Sequence, residues 1–423
     1  MSLFLSAPVA LAQTTPPTLT RLPDILVGNG PHSVVEVGPI SPVSGDMRPG
    51  LAVANSGEND PATNSQCVPG QDSVSILYQA TDTTGAYFPF ANDQVSARVV
   101  DEAPVALAAG AFRSASNPRL DIITANKCAD SHNVLIYRPE NDLRYVQPAG
   151  SPIRLDPMDL TTERPVAVTA GQMNNDAHLD FVAVYNATGR AQTFLGNGSG
   201  QFTAAAGGIS LASPPVGAAL GHFNSDSILD LIVAAQGNTA TGIGGGITLA
   251  FGDGQGGFQP ITQSLSTGSG ARSVALADFN KDGRNDVVVA NQQDDSISLV
   301  LRSPTGDGLT SALRFATQPG AGCTVSRNGR RNCPDQPGFI ATADLNGDTL
   351  PDVLAVMATG NALVVYNGTG SFPFLDTPQR ISLSGCTRPI SLATPDLELD
   401  GDPDVVIACL ESDRLAILRN DTP

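Results

Sequence analysis

The chain has 423 residues, with 43 Gly, 32 Pro, a formal net charge of −18 and two lysines, Lys127 and Lys281. So much Gly and Pro excludes a helical architecture and points to short strands joined by tight turns, while 41% apolar residues suffice for a packed core. The acidic balance lacks the basic stripe that a polyanion demands, which excludes nucleic acid as a partner, and no apolar run reaches the ~20 residues of a bilayer-spanning helix.

Residues 3–12 form an apolar run that ends in Ala10-Leu11-Ala12 ahead of Gln13. This is the pattern of a secretory leader and its cleavage site, without the usual basic start. The expected organisation is a leader over 1–12 and one domain over 13–423, placed in the periplasm or outside the cell. Six cysteines, an even number with no CxxC spacing, agree with export and disulfides rather than with zinc or redox chemistry.

A strand is predicted over 21–27, ahead of a repeat that first appears at His32. The clearest copy, at 271–301, holds an apolar run, an Asp-rich loop, a second apolar run, a polar turn and an alternating run. Several copies then close on a Gly-x-Phe-like turn, at 200–202, 257–258 and 370–372. Aligned on the residue before the second run, seven copies are anchored at Gly50, Asp121, Asp180, Asp230, Asp286, Asp352 and Asp404. Runs such as Val287-Val288-Val289 and Val405-Val406-Ile407 are apolar at consecutive positions, as in strands buried on both faces. Four such segments in each of seven copies predict an all-β, seven-bladed β-propeller. The last copy stops after its third strand, at 415–419, so the strand at 21–27 is expected to complete the last blade and close the ring.

Three copies place hard oxygen donors at alternate positions of a short loop. They are Asp278, Asn280, Asp282 and Asp286; Asp344, Asn346, Asp348 and Asp352; and Asp396, Glu398, Asp400 and Asp404, with Asp402 between the last two. Carboxylates so crowded repel one another unless a divalent cation sits among them, and alternating oxygens suit calcium. Two further copies keep Asn174, Asp176 and Asp180, or Asn224, Asp226 and Asp230, but replace the first Asp with Gln172 or His222. An EF-hand is excluded, because its twelfth position needs Glu and here holds Val289, Ala355 or Ile407 inside a strand. The bland alternative is a set of Asx turns closed by side-chain-to-backbone hydrogen bonds.

At these residues the chain resembles the FG-GAP/VCBS repeat family, whose best-known fold is the integrin α-subunit propeller. The matching motifs are Ala-Asp-Phe-Asn-Lys-Asp-Gly at 277–283, Ala-Asp-Leu-Asn-Gly-Asp at 343–348, and the Gly-rich turns at 195–202 and 251–258. The resemblance implies one structural Ca2+ in each of the three complete loops, with the backbone carbonyl of the seventh loop residue, Arg284, Leu350 or Asp402, added to the cage. It fixes no activity, because similar propellers serve as adhesion modules, lectins and enzyme domains.

In a propeller the loops joining second to third strands, and fourth to first, share the face opposite the acidic loops. Insertions at 55–71, 236–246 and 318–337 fall there, as do all six cysteines, with Cys67–Cys128, Cys323–Cys333 and Cys386–Cys409 the expected bridges. The loop around Cys323 carries Arg327, Arg330 and Arg331, a candidate ligand-reading finger or simply a solvated loop. The four histidines, His32, His132, His178 and His222, lie in different copies, and no nucleophile motif is present. The expected function is therefore a secreted, calcium-stabilised binding module for an extracellular protein, without catalysis. A glycan-binding, lectin-like propeller is the alternative, disfavoured by the absence of Trp, and a secreted lyase or hydrolase comes third.

Overall fold

The computed structural model describes residues 15–39, 47–57, 73–79, 90–91, 97–98, 103–113, 120–126, 133–141, 144–146, 153–154, 165–206, 208–211, 213–237, 245–259, 263–304, 306–318, 324–325 and 331–422. The leader at 1–12, Cys67, Cys128, Cys323, Arg327 and Arg330 lie outside the described residues.

The second apolar run of each repeat is a strand with no exposed face. Asp286–Asn291, Asp352–Met357 and Asp230–Ala235 are buried at every position. Consecutive β-branched and aliphatic residues suit such a strand, which packs on both sides. All regular structure among the described residues is β, and the strands form seven antiparallel sheets of four or five strands plus one two-stranded hairpin. No helix among the described residues is long and apolar enough to cross a membrane.

The first strands of the seven sheets are Pro31–Pro39, Pro104–Gly110, Pro165–Gly171, Pro215–Gly221, Ala271–Ala277, Pro337–Ala343 and Pro389–Ala393. Each touches the first strand of the next sheet, and the last touches the first. The core is divided in the same way, into seven apolar clusters each shared by two neighbouring sheets. One cluster joins Leu354 and Val365 to Leu392 and Ile407. Another joins Val406, Leu415 and Ile417 of the last sheet to Val34, Leu51 and Val53 of the first. The molecule is a β-propeller.

The ring closes through the N-terminal segment. Leu19–Arg21 and Ile25–Leu26 both pair antiparallel with Arg414–Asn420. The expected strand at 21–27 is thus two short pieces that begin at Leu19. Pro23, which has no N–H to give, separates them. The backbone amides of Leu22 and Val27 still bond across to Ile417 and Asp413, at 3.0 Å each.

Six of the seven first strands begin with Pro, at a position where no ladder N–H is required. In all seven the pairing then slips by one residue. The bulged residues are His32, Val105, Val166, Val216, Arg272, Gly338 and Ile390, and all seven line a central cavity of about 410 Å3 enclosed by the first strands. Each first strand runs from this mouth of the channel towards the acidic loops, which lie at the other end.

Candidate metal centres

Each acidic loop leaves the last residue of a first strand and returns at the first residue of the second, with Ala277 paired to Asp286 and Ala343 to Asp352. The turn is made by left-handed backbone at the fourth and sixth loop positions. These are Lys281 (φ 58°) and Gly283 (φ 80°), Gly347 (71°) and Thr349 (67°), and Leu399 (59°) and Gly401 (99°). A Cβ at Gly283 or Gly401 would meet nothing within 4 Å. Glycine is there for its φ and not for space.

The alternating side chains close the loop upon itself. The Asp282 and Gly283 amides donate to the two oxygens of Asp278 at 3.0 and 2.8 Å, and the Arg284 amide donates to Asp282 at 3.0 Å. The acidic loop of the sixth sheet (loop six, 344–352, each loop taking its sheet's number) repeats this, with the amides of Asp348, Thr349 and Leu350 donating to Asp344 and Asp348. Loop seven does so through Asp396 and Asp400, which accept from Asp400, Gly401 and Asp402. Asn280 and Asn346 likewise accept from the amides of Asp282 and Asp348.

The closing Asp is buried and plays a second part. Asp286 accepts the Phe279 amide at 3.1 Å on one oxygen and the Arg302 amide at 2.8 Å on the other. The same fork recurs at Asp180, Asp230, Asp352 and Asp404, each taking one amide from the loop and one from the end of the third strand. One carboxylate thereby ties three strands of its sheet together. The residue that gives the loop amide (Met173, Phe223, Phe279, Leu345 or Leu397) is buried, which holds the fork away from water.

Burial raises the Asp286 carboxyl to about 6 and Asp352 to about 7, against the lowering effect of the two amides. Burial, and then the hydrogen bond and charge of Asp404, push Glu398 up to about 8. Each such acid resists ionisation for want of a counter-charge, which a cation would supply.

In the second sheet that counter-charge is part of the chain. Arg113 occupies the third loop position, where the complete loops have Asn280, Asn346 or Glu398. Its Nε lies 3.0 and 3.2 Å from the two oxygens of Asp121, and its Nη2 lies 2.6 Å from the first. Asp121 is as buried as its counterparts, and Ala111 stands where the first Asp would be.

The donor sets of loops five, six and seven suit a hard divalent cation in type and number. In loops five and six the oxygens of the first, third and fifth residues are directed at loop amides, as are those of Asp396 and Asp400 in loop seven, whereas the Glu398 carboxyl bonds Asp404. Among the described residues no three His, Cys, Asp or Glu side chains stand close enough to cage a metal. Receiving an ion would require those side chains to turn from the amides towards a common point.

On the opposite face, Cys386 and Cys409 are bridged, with Cα atoms 5.2 Å apart. Cys333 is also disulfide-bonded. Arg331 lies in the two-stranded hairpin of Thr324–Val325 and Arg331–Asn332, so no common site for the three arginines can be described. Sequence reasoning overlooked Arg113 and the Pro-led bulges of the first strands. The available signals were an arginine at a loop ligand position and the recurrent Pro.

Residues 222–289 and 344–407 match the FG-GAP-like repeat, and 270–312 match the FG-GAP repeat. Similar solved structures include BBS1N in complex with ARL6DN, 13% identical with a TM-score of 0.58 over 96% of this chain and 97% of that one. A putative 6-phosphogluconolactonase from Bacteroides fragilis is 15% identical, with a TM-score of 0.51 over 85% and 86% of the two chains. Virginiamycin B lyase from Staphylococcus aureus is 11% identical, with a TM-score of 0.51 over 95% and 99%. At these identities the likeness is one of fold. No curated protein matches the sequence.

Proposed function

On the FG-GAP and FG-GAP-like matches over 222–312 and 344–407, we propose that this is an FG-GAP-repeat protein and a secreted, calcium-stabilised binding module whose ligand is an extracellular protein. Each of the seven sheets is read as one blade. The observation that carries the calcium reading is the buried closing Asp. In the second sheet this acid is met by Arg113, and in sheets five to seven it borders a loop rich in carboxylates and without such a cation-bearing partner at the third position. A divalent ion there would offset the same charge that the guanidinium offsets in sheet two. The Arg284, Leu350 and Asp402 carbonyls would complete the cages. Calcium in this reading holds loops and does no chemistry.

The leader-like run at 3–12 and the bridged cysteines support an oxidising compartment, periplasmic or extracellular. The face opposite the acidic loops, with its bridged loops and arginine-bearing insertion, is the surface assigned to the ligand. Loops on a rigid ring are the usual place for recognition.

Thermal unfolding of the oxidised protein in calcium and in chelator, with a metal count, tests the first half. About one ion per complete loop and a higher Tm in calcium are expected, and no bound metal with no shift removes calcium from the reading. Binding to cell surfaces tests the second half. Signal lost after protease treatment but kept after deglycosylation supports a protein ligand; the reverse makes the propeller a lectin.

A further inference from the structure

The bulged residues of the first strands ring one mouth of the channel, and five of the seven are Val, Ile or Gly. Of the other two, His32 is engaged through Nδ1 with the Ser56 hydroxyl at 2.7 Å. Arg272 is different. It is the one guanidinium among the described residues of the cavity wall, and it has no ion pair or hydrogen-bond acceptor among the described residues. Its side chain is reached by channel water, yet protein surrounds it. Desolvation, and then the nearby charge of Arg388, hold its pKa below the usual arginine range. Arg388, the cation nearest in charge, is itself paired with Glu411 at 3.2 Å.

One step deeper along the strands sit Ser273 and Ser391. Each hydroxyl oxygen accepts a 3.4 Å hydrogen bond from the neighbouring sheet's first strand, from the Ile340 and Val34 amides. At the far end of the cavity stands Glu36, with Asp396 as its neighbour in charge. Arg272 and Glu36 are offset by four residues along their strands, on the order of 13 Å. The channel is thus positive at one mouth and negative at the other, and its size is that of a small-molecule site.

We infer that this mouth of the channel binds a small carboxylate with an apolar body, the carboxylate on Arg272 and the body against the Val105, Val166, Val216 and Ile390 ring. A guanidinium fork matches a carboxylate in two parallel hydrogen bonds. The apolar ring excludes the water that would compete, and Glu36 orients the anionic end away from itself. The site needs only the ring of first strands and stands whether or not the acidic loops hold calcium.

The test uses the full oxidised chain in calcium and three probes: 3-phenylpropionate, its neutral amide, and inorganic phosphate. Saturable one-site binding of the carboxylate is expected by calorimetry, at least tenfold weakened in Arg272→Gln and partly restored in Arg272→Lys. The amide and phosphate should bind at least tenfold more weakly than the carboxylate. In wild-type protein, 3-phenylpropionate should slow phenylglyoxal modification of Arg272, a measurement that needs no variant. Absence of carboxylate binding, binding unchanged in Arg272→Gln, or no protection of Arg272 would overturn the site. An amide that binds as well as the acid overturns the role of charge, and equal binding of phosphate overturns that of the apolar ring. The Tm of Arg272→Gln should stay close to that of the wild type, because the exposed guanidinium has no ion pair among the described residues to lose.

Discussion

The closing aspartate does two jobs that substitution can separate. Asp352→Asn keeps its size but turns an amide group towards one of the two backbone donors, Leu345 or Gly368. Leaving that N–H unmet costs about 2 kcal/mol, and urea unfolding should show the loss in chelator as well as in calcium. Asp278→Asn gives up one of two amide bonds that lie in reach of solvent, where water can take the place of the lost acceptor. It should be nearly silent in chelator and cost stability only when calcium is present. Arg113→Met strands a buried carboxylate at Asp121 and should cost about 3 kcal/mol, equally with and without calcium. The double variant with Asp121→Asn should recover part of that loss. The carboxylates of loops five to seven were legible because donors two apart leave a regular trace. Arg113 left only an arginine at a loop ligand position: its meaning depends on Asp121, eight residues on, which the fold brings within 3.0 Å.

At the scale of elements, strands were easier to read than their irregularities. Unbroken apolar runs such as Val405–Cys409 announce a strand buried on both faces. The register slip beside each leading Pro does not show, because a bulge changes pairing without changing the apolar pattern. That slip is what brings Arg272 to the channel mouth. The cysteine pair of the last sheet was legible for a simpler reason: one residue precedes the first strand and the other ends the second, so antiparallel pairing brings them together. The bridge closes 23 residues of sequence. Replacing both Cys386 and Cys409 with Ser should cost about 3 kcal/mol, read as a lower Tm that reductant no longer affects at this bridge.

For the whole molecule, closure depends on a few residues at the start of the described chain. Ile25 and Val27 sit in the cluster that joins the last sheet to the first, and Leu19–Arg21 covers the edge of Arg414–Asn420. Removing residues 1–27 should expose both that edge and that core. The expected result is loss of cooperative unfolding and a shift to higher-mass species in size-exclusion chromatography. A single apolar-to-Ala change at Val182, central in the third sheet, should instead lower stability by about 2 kcal/mol and leave the species monodisperse if the wild type is so.

The pairing of Leu19–Arg21 with Leu418, Arg419 and Asn420 also sets an order of events during synthesis. A ribosome releases the first of these partners some four hundred residues before the second. Six sheets can stack as they emerge, but the opening strand has no mate until the chain is nearly finished. Until then it is a loose end beside a growing stack with an unfilled edge, and a neighbouring nascent chain offers the same edge. Crowded synthesis should therefore favour exchanged dimers, in which each copy's first strand seals the other's ring. Slow release and dilution should favour the self-sealed monomer.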